Sequence, residues 1–117
     1  MPAKREITVS ELSDLIAKNE DLTIVDVRER EQFATGHITG ALSVPLGSIG
    51  HAADVTSVAC NPQLLRARAG KVIVCCDDER RSRVAVAQLE WLGFVTVYCL
   101  AGGLKLWQTE GFPLVRG

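Results

Sequence analysis

The residues that could do chemistry gather in one run, VIVCCDDERRS, at positions 72–82. An apolar stretch ends in two adjacent cysteines, Cys75 and Cys76. Asp77, Asp78 and Glu79 follow, then Arg80, Arg81 and Ser82. These types suit a thiolate nucleophile aimed at an anion. If a strand ends at the cysteines and a helix begins near Ser82, the loop amides and the helix N-terminal amides point inward together. They form an anion nest with a positive dipole end behind it. A sulfur in such a nest is stabilised as the thiolate, and Arg80 or Arg81 can add a fork of donors for an oxyanion. A thiolate held in this way can attack a sulfane sulfur or a phosphorus atom.

Two registers are open within the loop. Successive strand side chains point to opposite faces. Cys75 continues the alternation of Val72, Ile73 and Val74, so it is predicted to pack beneath a helix as a small apolar residue. Cys76 is then the first residue off the strand. Counted from Cys76 the pattern is C-x4-R-S. Counted from Cys75 it is C-x5-R-S, which resembles the signature of cysteine-dependent phosphatases. The loop by itself does not choose between them.

The elements that must position this loop alternate between β-type and helical runs, the pattern of an α/β sheet with parallel strands. Short strands are predicted at 7–9, 22–27, 41–44, 71–75 and 95–99. Ser10 is placed to cap a first helix carrying Leu12, Leu15 and Ile16 at helical spacing. A helical turn is expected from Glu29 to Ala34, and a loop with a helical piece over 46–60. Asn61-Pro62 opens another helix, closed by Gly70. A helix from Ser82 to Leu92, ended by Gly93, follows the cysteines, and a last one covers 104–110. In parallel sheets, ligands sit beyond the carboxyl ends of the strands, where the two cysteines lie.

Size and charge narrow the classes. A chain of 117 residues suits one domain, residues 1–117. Its net charge of -1 offers no basic field for nucleic acid. No apolar run approaches the ~20 residues of a membrane span, and MPAKREI lacks the apolar core of a signal peptide. Cys60, Cys75, Cys76 and Cys99 form no C-x-x-C pair, and His37 and His51 complete no zinc spacing. Four free thiols in a cytoplasmic setting, with no metal, are therefore the expectation.

Two further segments carry a family resemblance. IVDVREREQFATGHITGALSVP is similar to the N-terminal signature of single-domain rhodanese-like proteins. Asp26, Val27, Arg28, Phe33, Gly36, His37, Ile38, Gly40, Ala41 and Pro45 all stand in place. VYCLAGGLKLW resembles the C-terminal signature, with Gly102, Gly103 and Trp107. The match runs from Ile7 to Pro113. It implies a rhodanese-like three-layer fold, a five-stranded parallel sheet with helices on both faces. It puts the nucleophile at Cys76, the substrate-binding loop at Cys76 through Arg81, and a helix start at Ser82. The implied activity is sulfur transfer through a Cys76 persulfide, with no organic or metal cofactor. Partners would be a small sulfur donor or a persulfide-bearing protein. Nothing in the residues sets the oligomeric state.

Two features depart from the resemblance. Glu79 stands where the family commonly has glycine, which tolerates backbone angles other residues resist. Asp77, Asp78 and Glu79 also place three carboxylates around a sulfur meant to ionise, and like charges at ~4–6 Å disfavour this. A donor less anionic than thiosulfate is the expectation. Asp26, Arg28 and His37 are read as structural, Cys99 as an inert strand residue, and His51 as solvated. Trp91 and Trp107 are expected to pack on the sheet. For Gly102-Gly103, tight turn geometry and room for substrate are both open. Two other function classes stay open. One is a non-catalytic binding, regulatory or redox-sensing module; the other is a phosphatase using Cys75 and Arg81, which requires a shorter strand.

Overall fold

The computed structural model describes residues 5–117; the start of the MPAKREI stretch lies outside the described residues. Five strands form one sheet: β1 Glu6–Ile7, β2 Thr23–Asp26, β3 Leu42–Ser43, β4 Lys71–Cys75 and β5 Thr96–Leu100. Their order is β1-β5-β4-β2-β3, and every neighbouring pair is parallel. The helices are α1 Val9–Ala17, α2 Arg30–Thr35, α3 Ile49–Ala52, α4 Pro62–Arg66, α5 Arg80–Trp91 and α6 Gly103–Thr109. This is the α/β sheet that the alternating runs predict. β4 sits at the centre of the sheet, so its carboxyl end is walled by loops on both sides.

Strand alternation divides the core in two. Val25, Val27, Val72, Val74, Val97 and Cys99 face one layer, packed by Ile49, Leu64, Ala85 and Leu89 from α3, α4 and α5. Ile24, Ile73, Cys75 and Leu100 face the other, packed by Val9 and Leu12 of α1 and by Leu104 and Trp107 of α6. Strands buried on both faces read as apolar runs, which is why β2 and β4 were legible in the sequence.

Several boundaries differ from expectation. The first helix is capped by Thr8 rather than Ser10. The Glu11 N–H donates to Thr8 Oγ1 at 3.1 Å, and the Thr8 N–H donates to Glu11 Oε1 at 2.9 Å. This reciprocal box needs a carboxylate three residues after the cap, which Thr8 has and Ser10 lacks. α4 stops at Arg66, with the chain turning through Ala67 to reach Gly70. The 46–60 stretch is a loop with a helical piece, as expected: a 3-10 turn, Leu46–Ser48, leads into α3.

The largest correction concerns Trp91. It does not pack on the sheet but is 88% exposed. The inward face of α5 is set by Ser82, Ala85, Val86 and Leu89. At 100° per residue, position 91 falls about 200° beyond Leu89, on the outer side. Trp107 does pack as expected, and its Nε1–H donates to the Pro113 carbonyl at 2.9 Å.

This predicts an inversion of size and cost. Leu89→Ala should lower unfolding stability by ~2–5 kcal/mol. Trp91→Ala, although it deletes more atoms, should change it by less than about 0.5 kcal/mol. Urea midpoints at constant slope would measure both, and a larger loss from Trp91→Ala would refute this packing.

Candidate active site

Two adjacent cysteines end up on opposite faces of the sheet. Cys75 closes β4 and lies in the α1/α6 core, opposite Asp26 of β2 in the ladder. Burial pushes its thiol well above the ordinary range, and the neighbouring Asp26 carboxylate pushes it further. Cys76, one residue on, turns into the α3/α4/α5 layer. Both are 0% exposed, but only Cys76 opens onto the loop.

Three oxygens lie within hydrogen-bond reach of the Cys76 sulfur. Its S–H donates to the Asp78 carbonyl at 3.2 Å, with Asp78 Oδ1 at 3.9 Å and Ser82 Oγ at 3.6 Å. The loop is tied from two sides. The Leu104 N–H of α6 donates to the Cys76 carbonyl at 2.8 Å, and the Lys105 N–H donates to the Asp77 carbonyl at 3.0 Å. The Arg80 N–H is taken by Asp78 Oδ1 at 2.8 Å. That last bond also starts α5 at Arg80, two residues before Ser82. Arg80 and Arg81 therefore belong to the helix and not to the loop.

The three acids have separate partners. Asp77 meets Arg81 Nη2 at 3.3 Å, Gln32 Nε2 at 3.2 Å and Arg28 Nη1 at 3.8 Å. Asp78 lies 3.6 Å from Arg80 Nε, and the Arg80 N–H holds its carboxyl below the usual range. Glu79 accepts from Arg83 Nη2 at 2.7 Å and from the Gly102 N–H at 2.8 Å. The Gly102 amide is the main reason that its carboxyl is held low. With each acid matched by an arginine, the loop is close to charge-balanced. The glycine expected at position 79 is not required, because Glu79 adopts φ −123° and ψ −5°, open to any residue.

Gly102 and Gly103 serve this contact. Both have positive φ, 76° and 64°. A Cβ on Gly103 would overlap the carbonyl oxygens of Asp78 and Asp77. The pair therefore lets the turn before α6 lie directly against the cysteine loop, a close approach that only glycine permits.

Asp26 and Arg28 form a buried pair, 0% and 6% exposed. Arg28 Nε donates to Asp26 Oδ1 at 3.0 Å and Nη2 to Oδ2 at 2.7 Å. Nη2 also donates to the Gly36 carbonyl at 2.7 Å. His37 stacks on Phe33 with ring centroids 3.7 Å apart, and its Nδ1 lies 2.9 Å from the Phe33 carbonyl. Its backbone pairs with Val115. These groups brace the wall of the site. His51 is exposed, and Cys60 is half-buried away from the loop contacts.

One neighbour was missed in the sequence. Cys99 of β5 is buried with its Sγ 3.1 Å from Ser82 Oγ, linking Cys76, Ser82 and Cys99 in one polar contact chain. Burial raises the Cys99 thiol. The ladder pairs Val74 with Cys99, so Cys99 faces the same layer as Cys76. The strand pattern held that signal, but only once the partner strand and its register were known. Among the described residues, no group of three or more His, Cys, Asp or Glu is placed to hold a metal ion.

Comparison with known proteins places this arrangement. The rhodanese-like domain model matches residues 8–110. The chain is 35% identical to thiosulfate sulfurtransferase GlpE of Pseudomonas fluorescens, over 79% of this chain and 75% of that one. It is 31% identical to a sulfurtransferase of Allochromatium vinosum, over 94% of each. The chain spans about half the length of some other relatives it matches, 51% and 50%. The crystal structure of a rhodanese-related protein from Thermoplasma volcanium superposes with a TM-score of 0.75 at 27% identity, covering 95% of this chain and 97% of that one. With the five-stranded parallel sheet and the cysteine loop at its centre, these matches show that this chain belongs to the rhodanese-like domain family.

Proposed function

We propose that the chain is a rhodanese-type sulfurtransferase or sulfur carrier that passes sulfur through a persulfide on Cys76. The observation that carries this reading is the opposed burial of the two cysteines. Cys75 is sealed into the α1/α6 core beside Asp26, whereas Cys76 heads the loop at the carboxyl end of the central strand. A phosphatase built on Cys75 would need that sealed sulfur to turn out of the core.

The chemistry balances without a cofactor. The Cys76 thiolate attacks the outer sulfur of the donor, forming an S–S bond as the donor's own bond to that sulfur breaks. The donor leaves as a thiolate, or as sulfite if it is thiosulfate. A second nucleophile then takes the outer sulfur and returns Cys76 to the thiolate. Ser82 Oγ accepts from the Cys76 thiol at 3.6 Å and gives its own hydrogen to the Glu79 carbonyl at 3.1 Å. Asp77 through Ser82 form the approach to it.

The donor we favour is a neutral compound or a protein persulfide rather than thiosulfate. Guanidinium groups facing the sulfur would favour a dianion. Here Arg81 is engaged by Asp77, Arg80 by Asp78, Arg83 by Glu79 and Arg28 by Asp26. The proposed setting is the cytoplasm, where Cys60, Cys75, Cys76 and Cys99 stay as the free thiols they are here. No helix among the described residues is long and apolar enough to cross a membrane.

Two measurements check this. After incubation with a desulfurase and cysteine, intact mass should show one added, cyanide-labile sulfur. Cys76→Ser should lose that sulfur completely and Cys75→Ser should retain it; persistence in Cys76→Ser would overturn the assignment. In steady-state assays, kcat/KM for a protein persulfide, supplied by the cysteine-loaded desulfurase, should exceed that for thiosulfate at least ~10-fold, about 1.4 kcal/mol. Equal values would remove the donor preference.

A further inference from the structure

The arginines around Cys76 are engaged by the loop acids, but another thiol has cationic neighbours without such partners. A cavity of about 370 Å³ opens between the end of β3, α3 and the start of α4. Its wall holds Arg30, Ser43, Ser48, His51, Cys60 and Asn61. Ser43 and Cys75 both pair with Asp26, so β3 and β4 end at the same level. The cavity therefore lies at the carboxyl end of the sheet, where parallel sheets place their ligands. It sits at the edge strand, with β2 between it and β4, and no residue of the cysteine loop lines it.

Three observations point to an anion as its ligand. No aspartate or glutamate lines this cavity, whereas Asp21, Glu11 and Glu20 line three others on the surface. Arg28, Arg80, Arg81 and Arg83 each meet an acid; Arg30 meets none among the described residues. Asp54, the acid nearest His51 in sequence, accepts from the Thr56 N–H at 2.9 Å and Thr56 Oγ1 at 2.7 Å. Ser43 Oγ is buried and is the one such side-chain atom among the described residues with no hydrogen-bond partner. Buried polar groups are nearly always satisfied, so this hydroxyl marks a place for a ligand oxygen. The walls are fixed by backbone. The Val44 and Leu46 N–H groups donate to the Asp26 and Val27 carbonyls, each at 3.0 Å, and the Asn61 N–H donates to Ala52 of α3 at 2.8 Å.

We propose that this cavity binds a small organic anion, and that Cys60 is modified there by anionic low-molecular-weight disulfides. A volume of this size suits a small ligand, a guanidinium suits a carboxylate, and a half-buried thiol on the same wall can exchange with a disulfide. The Cys60 thiolate attacks one sulfur of the disulfide. A new S–S bond forms to Cys60 as the old one breaks, and the other half leaves as a thiolate. The Cys60 proton passes to water, and the incoming disulfide supplies the oxidation. Arg30 is the group that receives the carboxylate. The inference is independent of the reading of Cys76.

Two matched disulfides test it, dithiodipropionate as the anion and hydroxyethyl disulfide as its neutral counterpart. Mixed-disulfide formation at Cys60 is followed by peptide mass spectrometry, and the anionic rate is divided by the neutral rate. Ionisation of the thiol acts on both rates alike and cancels in this ratio. In the folded chain the ratio should exceed that of Cys60 in the urea-unfolded chain by roughly three- to fivefold, the worth of one partly exposed ion pair. Arg30→Ala should bring it down to the unfolded value, and Arg30→Lys should keep most of it. Arg66→Ala, which removes an arginine outside the cavity, should leave it unchanged. Equal ratios in the folded and unfolded chains would overturn the site, as would a folded ratio indifferent to Arg30→Ala. A fall of the same size in Arg66→Ala would overturn it too, since that reports net charge and not a site.

Discussion

The site depends on a buried ion pair at the end of β2. Asp26 and Arg28 leave water almost entirely, and burying two charges carries a desolvation penalty that attraction alone rarely offsets. The pair is sustained because the fork is nearly filled. Arg28 donates to both Asp26 oxygens and to the Gly36 carbonyl, and its backbone N–H also donates to Asp26. Removing one partner would strand the other in the core, a loss of ~3–5 kcal/mol in comparable pairs. The pair earns its place by geometry. It fixes the end of β2 against the end of α2, and its free Nη1 faces Asp77 at 3.8 Å. The cysteine loop is therefore referenced to a rigid buried point.

The opposite side of the loop is held by backbone. Two α6 amides take the Cys76 and Asp77 carbonyls, and Gly103 lets the turn press against them. The loop is clamped between a charged wall and a helix start, with α5 leaving at a third angle. In this frame the acidic loop is less anomalous than its composition implies. Three carboxylates near a reactive sulfur would repel its ionisation if they were free. Each instead meets an arginine two or four residues away in sequence, and Asp77 also meets Arg28 across the β2 wall. Their pairing engages the guanidinium groups of Arg80, Arg81 and Arg83.

Much of this was legible in the residues, and the limits of legibility are physical. Strand parity separated Cys75 from Cys76 because a period of two is local and does not depend on partners. The apolar runs of β2 and β4 announced strands covered on both faces. Trp91 misled because a bulky aromatic suggests burial while the helical phase, set by Ala85 and Leu89, points it outward. Ser10 and Thr8 are both good cap residues, and the Glu11 carboxylate three residues after Thr8 is the signal that decides. The Glu79–Gly102 bond and the Ser82–Cys99 contact join residues 23 and 17 positions apart. No local pattern encodes such pairs. They require the strand order, which places β5 beside β4.

What the loop can offer a sulfur anion is set on its α6 side. In the thiol state Sγ gives its hydrogen to the Asp78 carbonyl at 3.2 Å. Catalysis rewards complementarity to the state in which charge develops, so the groups that count are donors able to meet the sulfur once that hydrogen has left. The Leu104 and Lys105 amides hold the Cys76 and Asp77 carbonyls, which orients the two peptides that follow the nucleophile before any donor arrives. That clamp needs the turn at Gly102 and Gly103 to lie directly against the loop. The two glycines therefore act on the cysteine loop through the backbone, from the far end of the sequence.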